Sequence, residues 1–159
     1  MKRSEKLAFI KLADGDTYTR LKGFTELTQS KNPKEYSRQY VDEDIERTDV
    51  IGYSPEISYA FDAIEEDTAQ APIIEITDKE LIGKLAIVNI VIVNLTKEGT
   101  TEGTFEAVSR DFSVIPSSEG DSTDSYTYSG SLKANGTKAF GTATTTDEWQ
   151  TCTFTATAE

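Results

Sequence analysis

The segment LAIVNIVIVNL at residues 85–95 is the longest apolar run of the chain, and most of its residues are β-branched. Such side chains favour extended backbone, and a run that is apolar at nearly every position is typical of a strand covered on both faces. The run has about half the length that a membrane-spanning helix requires. It therefore predicts a central β-strand.

Further strands are predicted on both sides of this run. Residues 6–13 and 17–27 are predicted to form a hairpin around Asp14-Gly15, because Asp-Gly supplies the positive φ angles of tight hairpin turns. The segment EISYAFD at 56–62 alternates strictly, which places Ile57, Tyr59 and Phe61 on one face.

The last third of the chain continues this pattern. Residues 103–115 change the phase of their apolar positions, which predicts a bulge or bend near Val108. Residues 125–134 and 137–146 flank Asn135-Gly136 and are predicted to form a second tight hairpin. The final strand is predicted at 149–158, with Cys152 on its apolar face.

One helix is predicted at 71–83, with Pro72 in its first turn and Gly83 just past its end, although an isoleucine-rich run could also be a strand. Residues 30–55 and 116–124 are predicted to be irregular loops. The fold class that follows is mainly β, with two packed antiparallel sheets in a sandwich or barrel-like arrangement and one flanking α-helix. We expect a single domain over 1–159, with a long loop at about 30–55.

The net charge of −12 argues against a docking surface for nucleic acid, which needs a basic stripe. Residues 1–40 are nevertheless net positive, with nine Lys and Arg against five Asp and Glu, so the acidic excess lies entirely in the rest of the chain. This asymmetry indicates either self-association through opposite ends or a merely solvated surface.

Catalytic machinery is not expected. The chain has no histidine and one cysteine, which rules out Ser-His-Asp and Cys-His constellations and His-ligated metals. No phosphate-binding glycine motif occurs, and Cys152 fits a small core residue better than a nucleophile. We therefore expect no enzyme activity, no cofactor and no bound metal. A signal peptide is not predicted, so we expect folding in a reducing cytoplasm.

Two charged sets are candidate contact residues. The run DEDIERTD at 42–49 lacks the spacing and central glycine of an EF-hand, so a solvated or partner-facing acidic loop is favoured over a calcium site. Lys133 and Lys138 are predicted to lie opposite each other across the Asn135-Gly136 turn. That pairing would suit carboxylates of another subunit, or plain exposure to solvent.

The sequence resembles a known family over nearly its whole length, from about residue 6 to the end. The segments that carry the resemblance are GFTELTQSKNPKEYSRQYVDE (23–43), GYSPEISYAFD (52–62), IVIVNLTKEGTTEGTFEAVSRDFSVI (90–115) and EGDSTDSYTYSGSLKANG (119–136). In their order and combination they look like the tail tube proteins, or major tail proteins, of long non-contractile-tailed bacteriophages and prophages of Gram-positive bacteria.

The resemblance implies a structural virion protein that is assembled in the bacterial host cytoplasm. Six copies would form a ring whose sheets join into a barrel around a lumen, and rings would stack into a tube through which double-stranded DNA passes without specific binding. The implied partners are other copies of the chain, a tape measure protein, and tail terminator and distal tail proteins. The 30–55 loop would reach an adjacent ring, so Asp42, Glu43, Asp44 and Glu46 are predicted inter-ring contacts. Lys133 and Lys138 are predicted inter-subunit contacts. The alternative is a β-sandwich binding or adhesion module of a virion.

Overall fold

A computed structural model describes residues 1–11, 17–120 and 123–157. The strands over these residues are β1 (Lys6–Lys11), β2 (Tyr18–Arg20), β3 (Phe24–Ser30), β4 (Pro33–Arg38), β5 (Arg47–Tyr53), β6 (Glu56–Asp62), β7 (Ile87–Glu98), β8 (Phe105–Glu119), β9 (Thr127–Ala134), β10 (Ala139–Thr144) and β11 (Thr151–Ala156). The helix α1 (Ala71–Asp78) connects β6 to β7, and short 3₁₀ turns at Arg3–Glu5 and Gly83–Ala86 precede β1 and β7. The mainly β fold with one flanking helix is confirmed.

Among the described residues, nine strands form one antiparallel sheet in the order β10-β11-β2-β1-β7-β8-β9-β6-β3. Because β10 also pairs with β8, the strands from β10 to β8 in this order close into a small barrel. The remaining strands, β9, β6 and β3, continue from β8 as an open extension. Strands β4 and β5 pair with each other as a separate hairpin.

The predicted central strand is confirmed as β7, which pairs with β1 on one side and β8 on the other. Its two faces belong to different clusters of buried side chains. Val91 and Val93 point into the barrel, while Val88 and Ile90 pack in a second cluster beneath α1. This explains why the run is apolar on both faces.

The predicted bulge near Val108 was wrong. The pairing of β7 with β8 runs without interruption from Ile87↔Ser113 to Asn94↔Glu106. The apolar phase changes because Ala107 is buried inside the barrel, whereas Phe112 and Val114 are buried in the second cluster, on the opposite face of the same strand. Two cores on opposite faces of one regular strand thus produce the same pattern as a register slip.

The predicted C-terminal hairpin was also wrong. Strands β9 and β10 lie one after the other along the same edge of β8, with Ala134 opposite Phe112 and Ala139 opposite Ser109. Strand β8 belongs to both the barrel and the extension, so its edge is covered by one strand from each. Lys133 is therefore opposite Glu56 and Ser113, and it does not face Lys138.

The helix begins with Pro72 in its first turn, as predicted, but it ends at Asp78 and not near Gly83. Its buried side chains are Ile73 and Ile76. Glu80 adopts a left-handed φ of 52°, and the Leu81 N–H donates to the Ile76 carbonyl at 3.1 Å. This is a Schellman ending, with glutamate in the position that glycine usually occupies, so Gly83 was a misleading signal.

The first predicted hairpin pairs as expected through β1 and β2, while its Asp14-Gly15 turn lies outside the described residues. The predicted strand at 17–27 is broken, and β3 pairs with β6 instead. Gly23 lies at the break with a φ of 74°, and a Cβ there would come within 2.8 Å of the Ile64 Cδ1.

The predicted final strand is confirmed as β11, with Cys152 buried. The loop predicted from residue 116 begins later, because β8 extends to Glu119.

Candidate assembly surfaces

The segment predicted to be an irregular loop is a β-hairpin, which we call the arm (residues 33–53). Strands β4 and β5 pair from Pro33↔Tyr53 to Arg38↔Arg47, with a bulge at Lys34/Glu35. The prediction was wrong because strand formers and charges alternate here without a buried face, so the usual apolar signal of a strand is missing. At the base of the arm, the Asn32 Nδ2 donates to the Ser54 carbonyl at 3.1 Å, and the Ser54 N–H donates to the Asn32 carbonyl at 3.2 Å.

No residue of the arm is buried, and its two strands pack mainly on each other. Apolar side chains are nevertheless frequent on it. Val41 is fully exposed, Ile45 is 75% exposed and Ile51 is 66% exposed. An isolated two-stranded hairpin is only marginally stable in water, and concentrated exposed apolar groups mark interaction sites. The arm therefore has the character of a contact element.

Ionic pairs stiffen the arm from within. Arg38 pairs with Asp49 and Arg47 pairs with Glu43. The Arg38 guanidinium also lies 5.5 Å from the centre of the Tyr40 ring, and its Nε donates to the Tyr40 hydroxyl at 2.8 Å. These hydrogen bonds to Tyr40 and then Asp49 raise the pKa of Arg38.

The predicted acidic contact residues accordingly fall into two groups. Glu43 is bound by Arg47 of its own arm. Asp42, Asp44 and Glu46 form no ion pair within the described part of the chain, and all three are exposed. Only these three carboxylates are available at the arm tip for a partner.

An apolar groove lies next to the basic N-terminal residues. It encloses about 460 Å³, and the cationic residues Lys2, Arg3 and Lys6 stand at its rim. Its apolar lining consists of Met1, Ala8, Leu21, Leu27, Ile57, Ile90, Ile92 and Leu132. An adjoining depression adds Arg20 and Lys22. Five of the nine Lys and Arg residues in 1–40 thus line the groove or the depression beside it.

The open extension, made of β3, β6, β9 and the last residues of β8, has one apolar and one polar face. Ile57, Tyr59 and Phe61 of β6 are buried beneath α1. On the other face, most cross-strand neighbours are small and hydroxylated, as in the row Thr28, Ser58 and Ser131, which ends at the exposed Ile115 of β8. Charged members of this face are Glu26, Glu56, Asp62 and Lys133.

Both ends of this extension are unpaired within the described residues. Strand β3 pairs only with β6. At the other end, the pairing of β8 with β7 stops at Ser113, so Val114–Glu119 has β9 on one side and no strand on the other. Residues 115–119 are exposed. The extension therefore presents two open strand edges facing away from each other.

The two lysines predicted as inter-subunit contacts are both exposed but lie in different surroundings. Lys133 is on the polar face, opposite Glu56. Lys138 lies at the base of the arm, where it lines a cavity of about 440 Å³ with Lys31, Arg110, Tyr53 and Pro55. Arg110 is partly buried, and no periodicity or motif of the sequence could have revealed its role in this cavity.

Cys152 lies inside the barrel, and burial raises the pKa of its thiol to about 12. Among the described residues, no three His, Cys, Asp or Glu side chains are grouped so that they could hold a metal ion. The described chain also contains no helix with the length and hydropathy of a membrane span.

No protein-family model and no curated protein sequence matches the chain. Among solved structures, the chain is similar to one from the cryo-EM structure of the anti-feeding prophage (AFP) baseplate, 6-fold symmetrised. The two share 8% sequence identity at a TM-score of 0.47, and the similar region covers 86% of this chain and 91% of that chain.

Proposed function

We propose that the chain is a structural subunit of a bacteriophage tail tube, in which copies close into hexameric rings and the rings stack into a conduit for double-stranded DNA. The observation that carries this proposal is the open extension, whose two ends are unpaired strand edges. The sequence resemblance to tail tube proteins supplies the number of copies and the identity of the assembly. No catalytic step is assigned to the chain.

The direction of the strands supports closure into a ring. Strands β3, β6, β9 and β8 alternate in direction because each neighbouring pair is antiparallel. Joining the free edge of β8 in one copy to β3 in the next continues this alternation. Such a head-to-tail contact generates a ring when its rotation closes, and a closed barrel removes the exposed edges that otherwise promote aggregation.

The polar face of the extension suits the lumen of such a ring. Its serine and threonine side chains are short, and its three carboxylates outnumber the single Lys133. A weakly acidic, hydroxylated wall repels DNA phosphates and offers them no cationic binding site. DNA would then pass through without being retained.

The arm supplies the contact between rings in this proposal. A strand of six residues extends about 20 Å, so the arm tip reaches well beyond the body of its own subunit. Its exposed Val41 and Ile45 and its unpaired carboxylates match a partner with apolar and cationic groups. The tape measure, tail terminator and distal tail proteins remain predicted partners.

A direct experiment is to link the two proposed edges. Thr28 on β3 and Ser117 on β8 are both exposed, and the buried Cys152 should not compete for reagents. We expect the double variant Thr28→Cys/Ser117→Cys, treated with a short bismaleimide, to yield covalent species up to the hexamer on a denaturing gel. Each single variant serves as a control and should give no ladder. Strictly monomeric particles in chromatography and negative-stain microscopy, with and without tape measure protein, would contradict the proposal.

A second candidate function, a virion binding or adhesion module, is favoured by the exposed tyrosines of the arm. Tyr36, Tyr40 and Tyr53 are all about half exposed, and tyrosine is enriched at binding surfaces. Binding to a glycan array that is lost on changing Tyr36 and Tyr53 to alanine would support this alternative over the tube.

A further inference from the structure

Three cationic side chains lie close together at the base of the arm. Neither of the contacts proposed above for the tube, the strand edges and the arm tip, involves them. Lys31, Arg110 and Lys138, which we call the cation cluster, line one cavity together with Tyr53 and Pro55. A neighbouring cavity shared with Arg110 adds Lys133. The chain as a whole carries a net charge of −12, so a local excess of positive charge requires a specific reason.

Arg110 has donors that the described chain leaves unused. The Nε and Nη1 atoms of its guanidinium are buried, and neither has a hydrogen-bond partner within the described residues. Buried donors almost always have a partner, and a charged donor without one is costly. Arg110 is paired with Ile90 of β7 on one edge of β8, but on the other edge it lies in the gap between β10 and β9, where no residue is paired with it.

Nearby carboxylates do not neutralise the cluster. Glu56 lines the neighbouring cavity but forms no ion pair with the cluster within the described residues. The Asp111 Oδ1 accepts a hydrogen bond from the Asn89 Nδ2 at 2.7 Å. Partial burial, followed by the charge of Lys138, lowers the pKa of Lys31, and Lys6 and Arg110 contribute in the same direction. The cluster is therefore a repulsive arrangement until an anion enters it.

We infer that the cation cluster is an anion-binding site, and that in the assembled tube it accepts a carboxylate from the arm tip of a second copy. The second part rests on the proposed function. The tip offers Asp42, Asp44 and Glu46 without ion pairs in the described chain. Its own subunit cannot supply this contact, because the tip lies about 20 Å from the base of the same arm.

The anion site can be tested on the isolated subunit. Sodium acetate supplies a carboxylate, and thermal unfolding is measured in acetate against chloride at equal ionic strength. Binding to the folded state alone should raise the wild-type melting temperature by about 3 °C near saturation. Lys138→Gln should melt higher than the wild type in chloride, because it relieves repulsion, and should lose the acetate effect. The matched control Lys84→Gln removes an exposed lysine outside the cluster and should behave like the wild type.

The identity of the natural anion is tested in assembly. Lys138→Glu should abolish tubes, and combining it with Asp42→Lys, Asp44→Lys or Glu46→Lys should restore them in one of the three cases. Normal tubes from Lys138→Glu, or no restoration by any reversal, would overturn the assignment to the arm tip. An acetate effect that is absent in the wild type, or unchanged in Lys138→Gln, would overturn the anion site itself. If the wild type forms no tubes, the proposed function fails, while the acetate experiment still decides the site.

Discussion

Gln70 shows how much a single buried amide contributes to this fold. Its Nε2 donates to the carbonyls of Lys22 at 2.9 Å and Asp62 at 3.0 Å, and its Oε1 accepts from the Ile64 N–H at 2.9 Å. The side chain is completely buried. It thus ties the chain reversal after β2 to the end of β6 and to the start of the helix.

We expect Gln70→Ala to lower the free energy of unfolding by about 3 kcal/mol, because three backbone groups lose their partner in a buried site. Chemical denaturation of the isolated subunit measures this change. The matched control is Gln39→Ala on the arm, where the amide donates to the Glu43 carbonyl at 3.0 Å in an exposed position. It should change stability by less than about 0.5 kcal/mol. Equal effects of the two variants would contradict the role given to Gln70.

Cys152 provides a residue-scale test of the barrel interior. Its thiol is buried and its pKa is raised to about 12 by desolvation, so the reactive thiolate is scarce in the folded state at neutral pH. We expect maleimide to label it only after unfolding, with the exposed Thr28→Cys as a positive control. In the unfolded chain the thiol ionises near its ordinary pKa. The contribution of Cys152 to the free energy of unfolding should therefore be fully present below that pKa. It should decline as the pH rises from there towards 12. Rapid labelling of the native protein at pH 7 would contradict this packing.

At the scale of elements, the sequence predicted strands well where one face or both faces are buried. Strands β6 and β7 were predicted with nearly the observed bounds, because burial imposes alternation or a continuous apolar run. The arm was missed since neither of its faces is buried by its own subunit. A pattern that depends on an internal core cannot detect a strand of this kind.

The pairing of strands was less predictable than the strands themselves. Asn135-Gly136 is a strong hairpin signal, yet the flanking strands share one edge of β8. A local turn preference cannot reveal that a neighbouring strand is long enough to serve two parts of a sheet. The cation cluster was beyond prediction for the same reason, because Lys31, Arg110 and Lys138 belong to three distant segments.

We expect that the arm can be removed without disturbing the rest of the subunit. Its ends are adjacent, since Asn32 and Ser54 are joined by two hydrogen bonds. We expect replacement of residues 33–53 by Asn-Gly to leave circular dichroism and the melting temperature of the subunit nearly unchanged. Ring formation should persist, because the edges of β3 and β8 remain, whereas stacking into tubes should be lost. Electron microscopy distinguishes the two levels of assembly, and tubes of normal length from the shortened chain would show that the arm does not join rings.

At the scale of the whole molecule, basic and acidic side chains are concentrated in different places. The basic residues Lys2, Arg3 and Lys6 surround the apolar groove, and the unpaired carboxylates stand at the arm tip. In the proposed tube, this separation would give each copy an acidic arm tip and basic residues both at the groove and in the cation cluster. Such a molecule associates head to tail more readily than face to face, since like surfaces repel.

The last prediction separates the two groups of tip carboxylates. We expect Asp42→Asn/Asp44→Asn/Glu46→Gln to leave the subunit folded, because the exposed tip contributes nothing to a core, but to shorten or abolish tubes. Each exposed pair contributes only about 0–1 kcal/mol, yet the contact would repeat in every subunit of a ring. High salt should shorten wild-type tubes in the same direction by screening these charges.

The control for this variant is Glu43→Gln, which removes one carboxylate that Arg47 already neutralises within the arm. Because Glu43 is engaged in its own arm, its loss frees a positive charge instead of removing a contact to a neighbour. It should affect the rigidity of the tip more than the salt dependence of assembly. Tube length is measured by electron microscopy across a salt series for all three proteins. If the triple variant forms tubes of wild-type length at every salt concentration, the ring contact does not depend on the acidic tip. The exposed apolar side chains of Val41 and Ile45 would then have to carry it.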